Sequence, residues 1–166
     1  LHLSLRRQRQ MCIRDRLLSA DCSANDMTDA QVETLHLALG LVLFCLGTLL
    51  GIPHGRSKGR GDAKNTELWR IAHLSTCVGG ASLLALAVAM PRLFADQAIY
   101  VLAPFTLSAY GFFMACTLSA WFNTSWDDDR GNARTAAVYR LQILASLLAL
   151  VAVAASFGLL AWRLLR

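Results

Sequence analysis

The chain has 166 residues, of which 55% are hydrophobic and only 16% are charged, and its mean hydropathy is +0.44. A soluble domain usually carries about 25% charged residues, so this composition argues against an ordinary soluble domain. The formal net charge of +5 would suggest nucleic-acid binding, but residues 1–17 hold five of the sixteen basic residues. Eleven basic and ten acidic residues remain without them, a net charge of +1 that excludes the nucleic-acid interpretation.

Residues 1–26 are predicted to lie outside the folded domain. The run Met11-Cys12-Ile13-Arg14-Asp15-Arg16 resembles translated sequencing adapter, which makes Met27 the expected natural start. A signal peptide would follow its arginines with about 7–15 apolar residues, whereas only Leu17 and Leu18 follow here. The alternatives are a disordered segment or a cationic arm that binds anionic lipid.

Four long apolar stretches predict an all-α integral membrane protein, a four-helix transmembrane bundle within one domain, residues 27–166. The predicted spans are residues 35–52, 71–90, 98–122 and 138–162. Each approaches the ~20 apolar residues that cross a bilayer, and such segments must be helical because lipid offers the backbone no hydrogen-bond partner. Pro53 and Pro91 are predicted to end the first two helices.

The polar segments between the spans predict an orientation. Eight Lys and Arg residues lie in or beside loops 53–70 and 123–137, and three lie on the other side. By the positive-inside rule both loops should face the cytoplasm, in the cell (inner or cytoplasmic) membrane. Gly47 and Gly51 form a GxxxG pattern in the first span, which favours close packing of helices in an oligomer or a bundle.

Polar side chains inside membrane spans are costly, so they are the first functional candidates. His73, near the start of the second span, is either an interfacial histidine or a metal or haem ligand through its neutral imidazole. His36 begins the first span, and two antiparallel spans would place these histidines roughly 25 Å apart, too far to share one iron. Arg70 and Arg140 flank the layer of His73, where they either pair with haem propionates or extend to the membrane surface.

The run Trp69-Arg70-Ile71-Ala72-His73, followed by Gly79-Gly80 and by Met90-Pro91-Arg92-Leu93-Phe94-Ala95-Asp96, resembles styrene-oxide isomerase and the hydroxylaminobenzene mutases. The resemblance covers most of residues 30–125. It implies a trimeric four-helix bundle with haem b near the subunit boundaries and His73 as the axial ligand. It also implies that ferric haem acts as a Lewis acid on a small apolar substrate, opening an epoxide to an aldehyde by a 1,2-shift.

Two positions depart from the family's pattern. The family carries an Asn six residues beyond the histidine, where this chain has Gly79, and a Tyr two residues beyond the glycine of the third span, where this chain has Phe113. Both missing groups are hydrogen-bonding groups expected to position substrate. Tyr110, nearly one turn before Phe113, is the candidate catalytic replacement.

Two further hypotheses stay open beside the isomerase. One is a non-catalytic four-helix membrane subunit or scaffold without a cofactor, in which His73 is interfacial. The other is a small transporter or channel, which is disfavoured because no acidic residue lies inside a predicted span. The Asp127-Asp128-Asp129 run is interpreted as a solvated acidic loop, because adjacent loop residues rarely converge on one metal ion.

Overall fold

The computed structural model describes residues 28–125, 128 and 132–165. The predicted adapter-like segment 1–26 therefore lies outside the described residues, as do Asp127 and Asp129. The described residues form α-helices and no strand, which confirms the all-α prediction for this part of the chain. The helices are α1 (Asp29–Leu49), α2 (Gly51–Arg60), α3 (Ala63–Phe94), α4 (Ile99–Phe122) and α5 (Ala133–Leu164), with a 3₁₀ turn at Ala95–Ala98 between α3 and α4.

Three helical segments within the described chain are long and apolar enough to cross a membrane, not the four that were predicted. They are Ala30–Arg60, Ala63–Phe122 and Ala133–Leu164. The second and third predicted spans fall in one 60-residue segment, because the 3₁₀ turn joins α3 to α4 without an extended loop. Ala95 has a φ of 48° and the chain reverses there. As a consequence, the side-chain amide of Asn65, near the start of α3, donates a hydrogen bond to the Ala120 carbonyl near the end of α4.

The predicted loop 53–70 is largely helical. The prediction that Pro53 ends the first helix is wrong, because Pro53 is the third residue of α2 and a first-turn residue needs no backbone N–H donor. Helix α3 begins at Ala63, where the Asp62 carboxylate accepts a hydrogen bond from the Asn65 backbone N–H at 3.0 Å. It then continues through Pro91 to Phe94, beyond its predicted end.

The helices pack in the order α1, α3, α4, α5, so that α1 and α5 lie at the two ends of the row. Glycine makes the α1–α3 contact possible. A Cβ atom on Gly47 would lie 2.7 Å from the Cys77 backbone nitrogen, and one on Gly80 would lie 2.5 Å from the Phe44 nitrogen. The helix backbones therefore approach each other more closely than any side chain would permit, as the GxxxG pattern predicted for Gly47.

Large apolar side chains cover the outer surface of the chain. On α5, Leu150 is 63% exposed and Phe157 is 69% exposed. A water-soluble monomer rarely exposes contiguous apolar surface on this scale. Together with the three long apolar segments, this surface identifies a protein whose helices are suited to a lipid bilayer.

Candidate functional site

His73 lies in the third turn of α3 with its imidazole against α1. The ring nitrogen Nδ1 is 2.7 Å from the Gly47 carbonyl oxygen. A carbonyl oxygen can only accept a hydrogen bond, so Nδ1 carries the proton. In the neutral ring the Nε2 atom then keeps its lone pair, which is the protonation state that a metal-binding histidine requires.

Small residues surround the half-buried ring. A Cβ atom on Gly51 would lie 3.6 Å from His73 Cε1, and the Cys77 Sγ atom is 3.8 Å from Nδ1. The next residue of α3, Leu74, has an apolar side chain that is 48% exposed. The result is one imidazole at an apolar, partly open surface of the chain.

His36 is separate from this site. It is 3% exposed, and its Nδ1 atom is 2.7 Å from the carbonyl oxygen of Val32 on its own helix. Counted along α1, His36 precedes Gly47 by three helical turns, about 16 Å. Within one chain the two histidines cannot bind the same iron, and the contacts of His36 are those of a buried packing residue.

The two candidate arginines occupy different surroundings. Arg70 lies one turn before His73, and its Nε atom donates to the Glu67 carboxylate at 2.7 Å. Both side chains are about half exposed, so this ion pair adds little stability. Another anion can therefore replace Glu67 as the partner of Arg70. Arg140 is exposed on α5, which packs mainly on α4, so the structure does not bring it to His73 within one chain.

The acidic run after α4 is described only at Asp128. Its carboxylate accepts a hydrogen bond from the Ser125 backbone N–H and forms an ion pair with Lys64 at 2.9 Å. These contacts, with the backbone bond as the larger cause, lower the pKa of Asp128 below its usual value. Across the described ranges, no group of three or more His, Cys, Asp or Glu residues is placed to hold a metal ion.

Tyr110 and one of the departing positions, Gly79, lie away from the His73 ring. The Tyr110 hydroxyl donates to the Leu39 carbonyl oxygen at 2.9 Å, and Leu39 precedes Gly47 by about 12 Å along α1. A side chain at Gly79 would begin 3.7 Å from Ala109 and Leu43, in the contact between α1, α3 and α4. Within one chain, Tyr110 and Gly79 therefore lie further than His73 towards the N-terminal end of α1.

Replacing Tyr110 with phenylalanine is expected to lower the free energy of unfolding by about 1 kcal/mol, because the Leu39 carbonyl loses its side-chain donor. Unfolding of the detergent-solubilised protein, followed by circular dichroism, would measure the change. Unchanged stability combined with a loss of substrate conversion would instead assign the hydroxyl to substrate binding.

The residue that sequence reasoning missed is Gly47 in its role as a hydrogen-bond acceptor. Its carbonyl holds the proton on the His73 imidazole, and its missing side chain admits Cys77. The GxxxG pattern signals the close approach of two helices but not the polar contact made there. The hydroxyl of Thr76, a buried polar residue of α3, donates a hydrogen bond to the Ala72 carbonyl of the same helix at 2.7 Å, which is a packing role.

Comparison with curated proteins and with solved structures finds no significant match. The family model described as styrene oxide isomerase matches residues 32–165. This range covers more than half of the chain and includes all of α2, α3 with His73, α4 and α5, and α1 from Val32 onward. The chain therefore belongs to the styrene oxide isomerase family.

Proposed function

We propose that the chain is a haem-b-binding membrane isomerase that acts on a small apolar substrate, with His73 as the axial ligand. The observation that carries the proposal is the hydrogen bond between His73 Nδ1 and the Gly47 carbonyl. The second ring N–H of a metal-binding histidine commonly donates a hydrogen bond to a carbonyl or carboxylate, which sets the tautomer and the ring orientation. Family membership supports the isomerase part of the proposal.

The residues around His73 fit a haem group. A porphyrin supplies four of the iron's ligands itself, so one imidazole on one face is enough to hold it. The exposed apolar side chain of Leu74 would suit the macrocycle, and Arg70 is the proposed partner of one propionate, in exchange for Glu67. Arg140 would reach a second propionate from a neighbouring subunit, in the homo-oligomer, a trimer by resemblance.

When bound, ferric haem would supply a Lewis acid that polarises a substrate oxygen for a 1,2-shift, either from epoxide to aldehyde or of the hydroxylamine mutase type. The chain's own residues would fix and shield this centre. His73 would hold the iron through Nε2, and the Gly47 carbonyl would keep the proton on Nδ1 and the ring in place. The exposed side chain of Leu74, next to His73 in the sequence, would favour an apolar substrate.

The membrane arrangement that we propose has four crossings. Helices α3 and α4 have 32 and 24 residues, and each exceeds the ~20 residues that span the hydrocarbon core. The Ala63–Phe122 segment would then cross twice, and α1 and α5 once each. Segments 53–70 and 123–137 would share one face of the membrane, the cytoplasmic face by the positive-inside rule.

A second candidate, a non-catalytic membrane subunit, is favoured by a specific observation. Gly79 and Phe113 lack the hydrogen-bonding groups of the family's pattern, and the Tyr110 hydroxyl already donates to Leu39. The described residues therefore supply few free donors for substrate at these levels. In this alternative the Gly47 bond would only satisfy a buried imidazole nitrogen.

The first experiment is a visible absorption spectrum of the full chain, expressed with ample haem and purified in mild detergent, followed by incubation with an aryl epoxide. We expect a Soret band, a b-type pyridine haemochrome spectrum, and aldehyde formed without added reductant. A folded sample without a Soret band would overturn haem binding. A Soret band without any conversion of the epoxide would overturn the isomerase activity on epoxides.

A further inference from the structure

A cleft of about 270 Å³ opens between α2, the start of α3 and the end of α4. Its walls include Arg56 and Arg60 of α2, Trp69 of α3 and Trp121 of α4. The Asn65 side chain donates to the Ala120 carbonyl at 3.0 Å and so joins the α3 and α4 walls. Among the residues that the structure describes, none that lines the cleft is acidic.

The two arginines lie four residues apart on α2, so that they share one face of the helix. Both are exposed, and in the part of the chain that the structure describes neither forms an ion pair, whereas nearby Lys64 pairs with Asp128 and Arg70 with Glu67. Two arginines on the wall of one cleft, with no acidic partner among the described residues, form a site for an anion with several oxygen atoms.

This cleft is distinct from the His73 site. Gly51, the first residue of α2, lies beside the His73 ring. At about 100° per residue, Arg56 and Arg60 project about 140° and 180° away from Gly51 around the α2 axis. The cleft therefore opens on the opposite flank of α2, towards Trp121 of α4.

The surroundings of the cleft indicate an amphiphilic ligand. Trp121 is 74% exposed, and Ile52, next to the cleft residue Pro53, is 54% exposed. Tryptophan favours the level of the lipid headgroups, and here an exposed tryptophan lines the same cleft as the two arginines. A soluble anion would satisfy the guanidinium groups but would leave this apolar surface without a partner.

We propose that the cleft binds an anionic phospholipid, with Arg56 and Arg60 contacting the phosphate and Trp121 contacting the apolar region below it. Anionic lipids are held by basic residues near the membrane surface with about 1 kcal/mol per Lys or Arg. Each arginine would thus contribute about fivefold to affinity, and both together about 30-fold. The site would be occupied whether or not His73 holds haem.

The test titrates short-chain phosphatidylglycerol into the delipidated full chain in detergent and counts bound lipids by native mass spectrometry. We expect one tightly bound phosphatidylglycerol, with a Kd raised about fivefold by Arg56→Gln or Arg60→Gln and about 30-fold by the double variant. The matched control is Lys58→Gln, an exposed lysine on the same helix that does not line the cleft. It should change the Kd by less than about twofold.

Three outcomes would overturn the proposal. An equal loss of affinity in Lys58→Gln would indicate diffuse charge attraction and no discrete site. Equal binding of phosphatidylcholine would remove the role of the anion. Competition by inorganic phosphate at the affinity of the lipid would assign the cleft to a free anion. An unchanged Soret band in the double variant would separate this site from the proposed haem site.

Discussion

Replacing His73 with alanine is expected to abolish the Soret band of the purified protein. The imidazole is the proposed protein ligand of the iron, and an alanine methyl group at this position has no lone pair with which to replace Nε2. Absorption spectra of the native chain and the His73→Ala variant, purified in parallel and compared per mole of protein, would measure the loss. Imidazole added to the variant should restore part of the band.

His36→Ala is the matched control for this prediction. It removes a histidine from the same helix pair, and His36 is more buried than His73. The variant should lose about 1 kcal/mol of stability with the hydrogen bond to the Val32 carbonyl but should keep the Soret band. A band that survives in His73→Ala and disappears from folded His36→Ala would move the proposed site to the opposite end of α1.

Composition and hydropathy were sufficient to predict a helical membrane protein, because a lipid environment permits so few backbone structures. They were not sufficient to count its helical segments. The polar residues Arg92 and Asp96 interrupt the hydropathy between the second and third predicted spans. The backbone nevertheless stays helical through Phe94 and turns within the 3₁₀ turn Ala95–Ala98. Local hydropathy therefore cannot tell a tight helical corner from an extended loop.

The prediction that residues 53–70 form a loop was wrong for a different reason. Proline was interpreted as a helix terminator, although it is tolerated in the first turn of a new helix, the position that Pro53 occupies in α2. The cap of α3 was readable from the sequence, because Asp is among the strongest N-cap residues and Asp62 precedes a helix-forming run. The sequence thus contained signals for the start of α2 and the start of α3. The polar composition of the segment nevertheless led to the prediction of a loop.

The site could be predicted only in part. His73 stands out because an imidazole at the start of an apolar span needs a partner, and the nearby Glu67 that pairs with Arg70 can be read from their spacing on one helix. The acceptor of the His73 proton is a backbone carbonyl of another helix, which no side-chain pattern encodes. The position of Arg140 depends on the order in which the helices pack, a tertiary property that hydropathy does not contain.

Replacing Gly47 with alanine is expected to weaken haem retention by about 10- to 100-fold, the usual effect of losing a partner that orients a metal-binding histidine. The new methyl group would lie 2.7 Å from the Cys77 backbone nitrogen and 2.8 Å from its Sγ atom. Helix α1 must then move away from α3, which carries the Gly47 carbonyl away from His73 Nδ1. Haem transfer from the purified variant to apomyoglobin would measure the change in affinity.

Gly80→Ala separates the loss of this hydrogen bond from a general loosening of the helix pair. Its methyl group would lie 2.5 Å from the Phe44 backbone nitrogen, so this variant also forces α1 away from α3. It should lower the free energy of unfolding by about 1–3 kcal/mol. The new contact lies about 10 Å along α3 from His73. Gly158→Ala, with no atom within 4 Å of the added methyl group, should leave both properties nearly unchanged. If the Gly47 and Gly80 variants lost haem equally at equal stability, helix separation would explain the effect, and the Gly47 carbonyl would have no special role in holding the imidazole.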